Sequence, residues 1–187
     1  METKVHVCPP WIGHILASPL RNILQNPYRI LSPYIKEGMN ILEIGPAMGF
    51  FSIPLAKMTG NSGKVFCVDI QEYMLRKLYS KARKTGVGHI IETRLSTADS
   101  MNIDTLKNSI DFTLLAYVVH EVPDQNLLFS SVSEAMKRDS FLLLIEPKGH
   151  VNTVDWEKSI AIATGNGFQI SKKIKVKRSW SVLLCKS

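Results

Sequence analysis

From residue 39 onward, short apolar runs alternate with longer stretches in which apolar residues recur every three or four positions. The runs Asn40–Ile44, Lys64–Asp69, Ile90–Leu95, Ile110–Tyr117 and Phe141–Glu146 have the length of strands, and the segments 49–59, 71–85, 124–138 and 153–165 carry helical periodicity. Strand and helix in alternation predict parallel strands joined by right-handed crossovers, hence a doubly wound sheet with helices on both faces. The last two runs, Phe168–Lys175 and Ser179–Cys185, break the alternation. Only three residues separate them, which suits an antiparallel hairpin and cannot hold a parallel crossover. The expected fold is therefore α/β, a doubly wound, seven-stranded, mostly parallel sheet that ends in an antiparallel hairpin.

The first 35 residues follow a different pattern, punctuated by Pro9-Pro10, Ser18-Pro19 and Asn26-Pro27. Ser-Pro and Asn-Pro read as a helix cap followed by a first-turn proline, so short helices are predicted near 10–17, 19–25 and 27–35. They carry Trp11, Ile15, Leu20, Leu24 and Leu31, enough apolar surface to pack on a larger body but too little to fold alone. Residues 1–35 are expected to form a helical lid. Residues 36–187 are expected to form one folding unit, because a 187-residue chain leaves no room for a second independent core.

Composition narrows the picture only slightly. With 45% hydrophobic and 21% charged residues the chain is an ordinary globular sequence, and its longest apolar run, Phe112 to Val119, is far too short to span a bilayer. The opening Met1-Glu2-Thr3-Lys4 lacks the features of a secretory signal, so a cytoplasmic protein is expected. The three cysteines, Cys8, Cys67 and Cys185, form no C-x-x-C pair, and His6, Cys8 and His14 match no zinc spacing; neither a disulfide framework nor a metal is expected. Net charge is +7, concentrated at Arg76, Lys77, Lys81, Arg83, Lys84 and at Lys172, Lys173, Lys175, Lys177, Arg178. That balance permits a nucleic acid partner. No regular aromatic interleaving accompanies these lysines, however, and solvated faces are the favoured reading.

Candidate chemistry begins at Asn40–Gly49, where an apolar strand runs into a small-residue turn that opens a helix. In open α/β sheets, ligands bind beyond the carboxyl ends of the strands, and the turn after the first strand is the usual place. A dinucleotide fingerprint would want a third glycine at position 50, where this chain has Phe50, so nicotinamide binding is disfavoured.

Glu43-Ile44-Gly45-Pro46-Ala47-Met48-Gly49 resembles the E/D-x-G-x-G-x-G motif of class I S-adenosylmethionine-dependent methyltransferases. Companion features follow in order: the glycine turn Gly60–Lys64, Asp69 at the end of the second strand, Ala98-Asp99-Ser100 after the third and Asp111 at the start of the fourth. Tyr117–Asp124 resembles the V-L-H-H-L-P-D segment of small-molecule methyltransferases related to the ubiquinone and menaquinone enzymes. Over about residues 36–187 the resemblance implies S-adenosylmethionine as cofactor, released as S-adenosylhomocysteine. It implies Glu43, Gly45, Ala47, Gly49, Asp69, Ile70, Ala98, Asp99, Ser100 and Ala116 as cofactor-binding residues and a small-molecule methyl acceptor as partner. A carboxylate such as Asp69 suits the ribose because it accepts two hydrogen bonds from a vicinal diol. Ala47 departs from the motif, placing a methyl group where the backbone must pass close to the cofactor.

The cofactor's sulfonium already contains a good leaving group, so proximity and orientation can supply on the order of 7–11 kcal/mol of barrier reduction without a catalytic side chain. A base is needed only if the acceptor must lose a proton. His120 and Tyr117 are the candidate catalytic residues, and Glu121, Glu146, Lys148 and His150 belong to the same strand ends. Two other readings compete: an RNA or protein methyltransferase drawing on the positive charge, and a non-catalytic cofactor-binding module. Ala116-Tyr117-Val118-Val119 lacks the Asn/Asp-Pro-Pro-Tyr motif of enzymes that methylate base amino groups.

Overall fold

The apolar runs assemble into one seven-stranded sheet in a computed structural model that describes residues 25–97 and 99–187. The strands are β1 Asn40–Ile44, β2 Lys64–Asp69, β3 Ile91–Leu95, β4 Ile110–Ala116, β5 Met136–Pro147, β6 Phe168–Lys173 and β7 Ser179–Lys186, in the order β3-β2-β1-β4-β5-β7-β6. β1 to β5 are mutually parallel, and β7 runs antiparallel to both β5 and β6. The chain winds outward from β1 to β3, then returns to place β4 on the other side of β1. This reversal opens a crevice beyond the carboxyl ends of β1 and β4.

Helices α1 Pro27–Leu31, α2 Ser52–Thr59, α3 Glu72–Lys84, α4 Gln125–Ala135 and α5 Thr153–Gly165 cover the sheet. Alternation along each buried strand feeds two cores. Ile41, Cys67, Phe112, Leu114 and Ile145 face α1, α2 and α3 through Leu31, Leu55 and Leu78. Leu42, Val68, Leu115 and Leu144 face α4 and α5 through Leu128, Phe129, Val132 and Ala163.

Several boundaries differ from the sequence expectation. The predicted helices near 10–17 and 19–25 lie outside the described residues, apart from Gln25. The third ends at Leu31 rather than 35, because Pro33 has no N–H to continue the ladder. Leu31 and Ile35 nonetheless reach the core, and Tyr34 stacks on Phe112 with ring centroids 6.2 Å apart. The helix expected over 124–138 stops at Ala135, since Met136 is fully buried and pairs with Ile110 as the first residue of β5. A bulge between Ile110 and Phe112 absorbs the early start, and Lys137 Nζ reaches Asp111 Oδ1 at 2.6 Å.

Candidate functional site

A cleft lies beyond the carboxyl ends of β1, β2 and β4. Its floor is the turn Gly45-Pro46-Ala47, and its walls include Asp69, Ile70, Met74, Met101, Ala116 and Val118. Gly45 and Gly49 have φ of 71° and 80°, where a side chain is disfavoured. A Cβ on Gly45 would lie 2.6 Å from Val118 Cγ2, and one on Gly49 would lie 2.5 Å from Leu78 Cδ1. Backbone conformation favours glycine at both positions, and packing against Val118 adds to this at Gly45. Ala47 also holds a left-handed backbone, with φ 47°, but it lines the cleft.

Two carboxyl groups mark one side of this cleft. Glu43 is 2% exposed and accepts from Ser52 Oγ at 2.5 Å, while Cys67 Sγ lies 3.7 Å away. Burial pushes its carboxyl up to about 7, against the opposing pull of the Ser52 and Cys67 bonds. Asp69, the last residue of β2, accepts from the Gln71 N–H at 2.9 Å, and the backbone N–H groups of Ala47 and Ile70 also favour its charged form. Burial outweighs them and leaves the carboxyl above its ordinary value.

The far side of the cleft is built by the loop after β4. Tyr117 adopts φ 63°, an uncommon backbone for a bulky residue, and such outliers persist where the surroundings fix them. Here its N–H donates to the Ile145 carbonyl at 2.7 Å and its hydroxyl lies 3.1 Å from Ser179 Oγ. Val119–Glu121 then forms a short 3-10 turn whose free N–H groups converge on one carboxylate. Glu146, at the end of β5 and 1% exposed, accepts from Val118 N at 3.0 Å, Val119 N at 3.2 Å and His120 N at 3.2 Å. Its Oε2 also binds His120 Nδ1 at 2.5 Å. Burial alone would lower the His120 pKa; the bond to Glu146 and the charges of Glu146 and Glu121 reverse this and hold it above its ordinary value.

Of the predicted cofactor residues, Glu43, Gly45, Ala47, Asp69, Ile70 and Ala116 line one cleft together with the predicted catalytic Tyr117. Gly49 supports it from behind through its contact with Leu78. Ala98 lies outside the described residues, Asp99 is exposed, and the segment after β3 faces the cleft through Ser96, Thr97 and Met101. His120 is turned toward Glu146 beside the cleft, with the His150 ring 6.0 Å from its own. Sequence reading missed the Glu146 clamp. The parallel pairing of β4 with β5, which brings residues 117–120 beside residue 146, was the available signal.

An S-adenosyl nucleoside fits these residues. The cleft offers a carboxylate acceptor beside an open backbone turn, apolar walls at Ile70, Met74 and Val118, and small polar side chains at Ser96 and Thr97. Comparison with known proteins agrees. Residues 35–175 match the family described as "Methyltransferase domain". The chain is 26% identical over 113 residues to a ubiquinone/menaquinone biosynthesis C-methyltransferase of Saccharophagus degradans, an alignment covering 60% of this chain and 44% of that protein. It is 23% identical over 112 residues to demethylmenaquinone methyltransferase of Staphylococcus aureus, again covering 60% and 44%. The chain thus spans less than half the length of these curated relatives. The crystal structure of a SAM-dependent methyltransferase from Aquifex aeolicus superposes with a TM-score of 0.86 at 25% identity, covering 97% of this chain and all of that one.

Proposed function

Because this chain belongs to the methyltransferase-domain family and has its Rossmann-like fold, we propose that it transfers a methyl group from S-adenosylmethionine to a small-molecule acceptor. The observation that carries this reading is the cleft in which the Asp69 carboxylate stands beside the open Gly45–Ala47 turn at the sheet's switch point. When bound, the cofactor supplies an electrophilic methyl group and its own leaving group. Asp69 accepts hydrogen bonds from the ribose hydroxyls, and its flanking backbone N–H groups keep the carboxylate aimed. Ser96 and Thr97 provide polar contacts beside the base, and Ile70, Met74 and Val118 exclude water around the nucleoside.

In this reading His120 acts on the acceptor. Glu146 holds its Nδ1, and Nε2, which lies 3.9 Å from Glu121 Oε1, is the nitrogen left to hold or take a proton at the acceptor atom. Tyr117, fixed between Ile145 and Ser179, shapes the wall between cofactor and acceptor. A small acceptor is supported by the likeness of Tyr117–Asp124 to quinone-pathway methyltransferases and by the curated relatives of that type. The lid expected of residues 1–35 belongs to this reading as a proposal, and its test is acceptor turnover after deletion of residues 1–24.

Calorimetric titration with S-adenosylmethionine and S-adenosylhomocysteine tests the reading. Asp69→Ala is expected to weaken both by about 1.5–3 kcal/mol, the value of hydrogen bonds to a charged group, with an unchanged circular dichroism spectrum. Unaltered affinity would overturn the assignment of this cleft to the cofactor.

A further inference from the structure

A second groove opens between α5 and the β6–β7 hairpin, and its Lys148, Lys177 and Arg178 lie at the end of the sheet where β5 finishes, the end that also holds the cofactor cleft. Two tryptophans distant in sequence meet there: Trp156 of α5 and Trp180 of β7 stack with centroids 6.1 Å apart and planes inclined by 17°. Lys148 Nζ sits 4.4 Å from the Trp180 ring centroid, and Trp180 Nε1 donates to the Val151 carbonyl at 2.9 Å. The groove is also lined by Lys177 and Arg178 in the hairpin turn and by Lys173 and Lys175 beside them. Among the described residues, none of these five cations has an ion-pair partner, and Glu157 is the only acid in the lining.

Lysines on an edge strand are often there to keep it from pairing with another chain, which accounts for Lys172 and Lys173 of β6. It does not account for Lys148, Lys177 and Arg178, which lie beyond the strands. The Lys148 N–H donates to the Arg178 carbonyl at 3.2 Å, so the turn after β5 and the hairpin turn are tied together with their charges converging. The groove adjoins the candidate transfer site through two contacts. Trp180 pairs directly with Glu146 across β5 and β7, so the two side chains share a face. Ser179, which lines the groove, touches Tyr117, which lines the cofactor cleft.

We propose that this groove recognises the anionic group, carboxylate or phosphate, of an acceptor whose planar or apolar body lies against Trp156 and Trp180. The proposal rests on the methyltransferase reading and names the chemical class of its substrate. A single-stranded nucleic acid is a poorer fit. Its successive bases need a row of separate aromatic platforms, whereas the two aromatic rings lining this groove are stacked on each other and so form a single one, enough for one planar body.

The test uses the full chain labelled with nitrogen-15, saturated with S-adenosylhomocysteine, and follows the indole signals of Trp156 and Trp180 and the imidazole signal of His120. The probes are benzoate, phenyl phosphate, neutral benzamide and a twelve-residue oligothymidylate. Benzoate or phenyl phosphate is expected to shift all three signals saturably, whichever is tighter identifying the anion, with benzamide at least tenfold weaker. Lys148→Gln and Arg178→Gln should each weaken the anion at least fivefold and leave S-adenosylhomocysteine affinity unchanged. Equal binding of benzamide, unweakened binding by both variants, or an unmoved His120 would overturn the proposal, as would oligothymidylate binding without response to the small anions. Absence of cofactor binding in calorimetry would instead sink the methyltransferase reading, and that result is independent of the anion titration.

Discussion

Ala47 holds a left-handed backbone at φ 47°, a conformation costing an L-residue roughly 1–2 kcal/mol. Glycine there would relieve that strain but add about 0.4–1 kcal/mol of unfolded-state entropy. Ala47→Gly is therefore expected to leave stability unchanged or raise it by up to about 1.6 kcal/mol in urea denaturation, with cofactor affinity no weaker than wild type. Glu43 gives a pH-dependent counterpart. Its carboxyl is raised to about 7 by burial, so the fold favours the protonated form. The stability it contributes is fully present below the unfolded value near 4.5 and is lost as pH rises through about 7. Wild type should lose stability relative to Glu43→Gln between pH 5 and pH 8, by on the order of 3 kcal/mol. A constant difference across that range would contradict the burial of a neutral acid. Both residues were legible as motif positions, yet neither the strain at Ala47 nor the protonation of Glu43 was, because each depends on what surrounds the side chain.

Among the elements, the Val119–Glu121 turn depends on a neighbouring strand. Three backbone N–H groups and one imidazole converge on Glu146, so Glu146→Ala would leave the buried Val119 N–H and the partly buried donors of Val118 and His120 without their acceptor, at about 1–3 kcal/mol for a buried donor and less for the others. A loss of about 3 kcal/mol is expected in denaturation experiments, and a smaller one for Glu146→Gln, which keeps an oxygen acceptor. The His120 pKa, followed by NMR, should fall in both variants. In wild type it is raised, so the His120–Glu146 interaction contributes most below the ordinary histidine value and is lost as pH rises through the higher folded value. The strands β1, β2 and β4 and helix α5 were readable nearly to the residue from periodicity. The end of α4 was not, because Met136 could extend the helix locally and only its pairing with Ile110 commits it to β5.

For the whole molecule, the proposed division into lid and sheet predicts a measurable boundary. Leu31 is fully buried and Ile35 nearly so, and Tyr34 stacks on Phe112, so this part of the proposed lid is anchored in the core. Deleting residues 1–24 is expected to preserve the fold and cofactor affinity while abolishing turnover of a small acceptor. Deleting residues 1–35 also removes Leu31 and Ile35, which as individual truncations to alanine would each cost about 2–5 kcal/mol. The longer deletion should therefore lower the denaturation midpoint sharply while the shorter one does not, and equal midpoints would show that the anchor carries no stability.

By itself the sequence determined the alternation of strands and helices, the closing hairpin, and the turn and acidic residue that mark the cofactor cleft. These are local signals: periodicities of two and 3.6, caps, and a motif confined to one strand and its turn. Only the tertiary structure decided which distant side chains meet. It set Glu146 under the Val119–Glu121 turn, through the pairing of β4 with β5. It also brought Trp156 and Lys148 to Trp180 and the cations of the hairpin turn, through the pairing of β5 with β7 and the packing of α5. Such meetings depend on strand order, and strand order is fixed by how two cores are buried together rather than by any one segment.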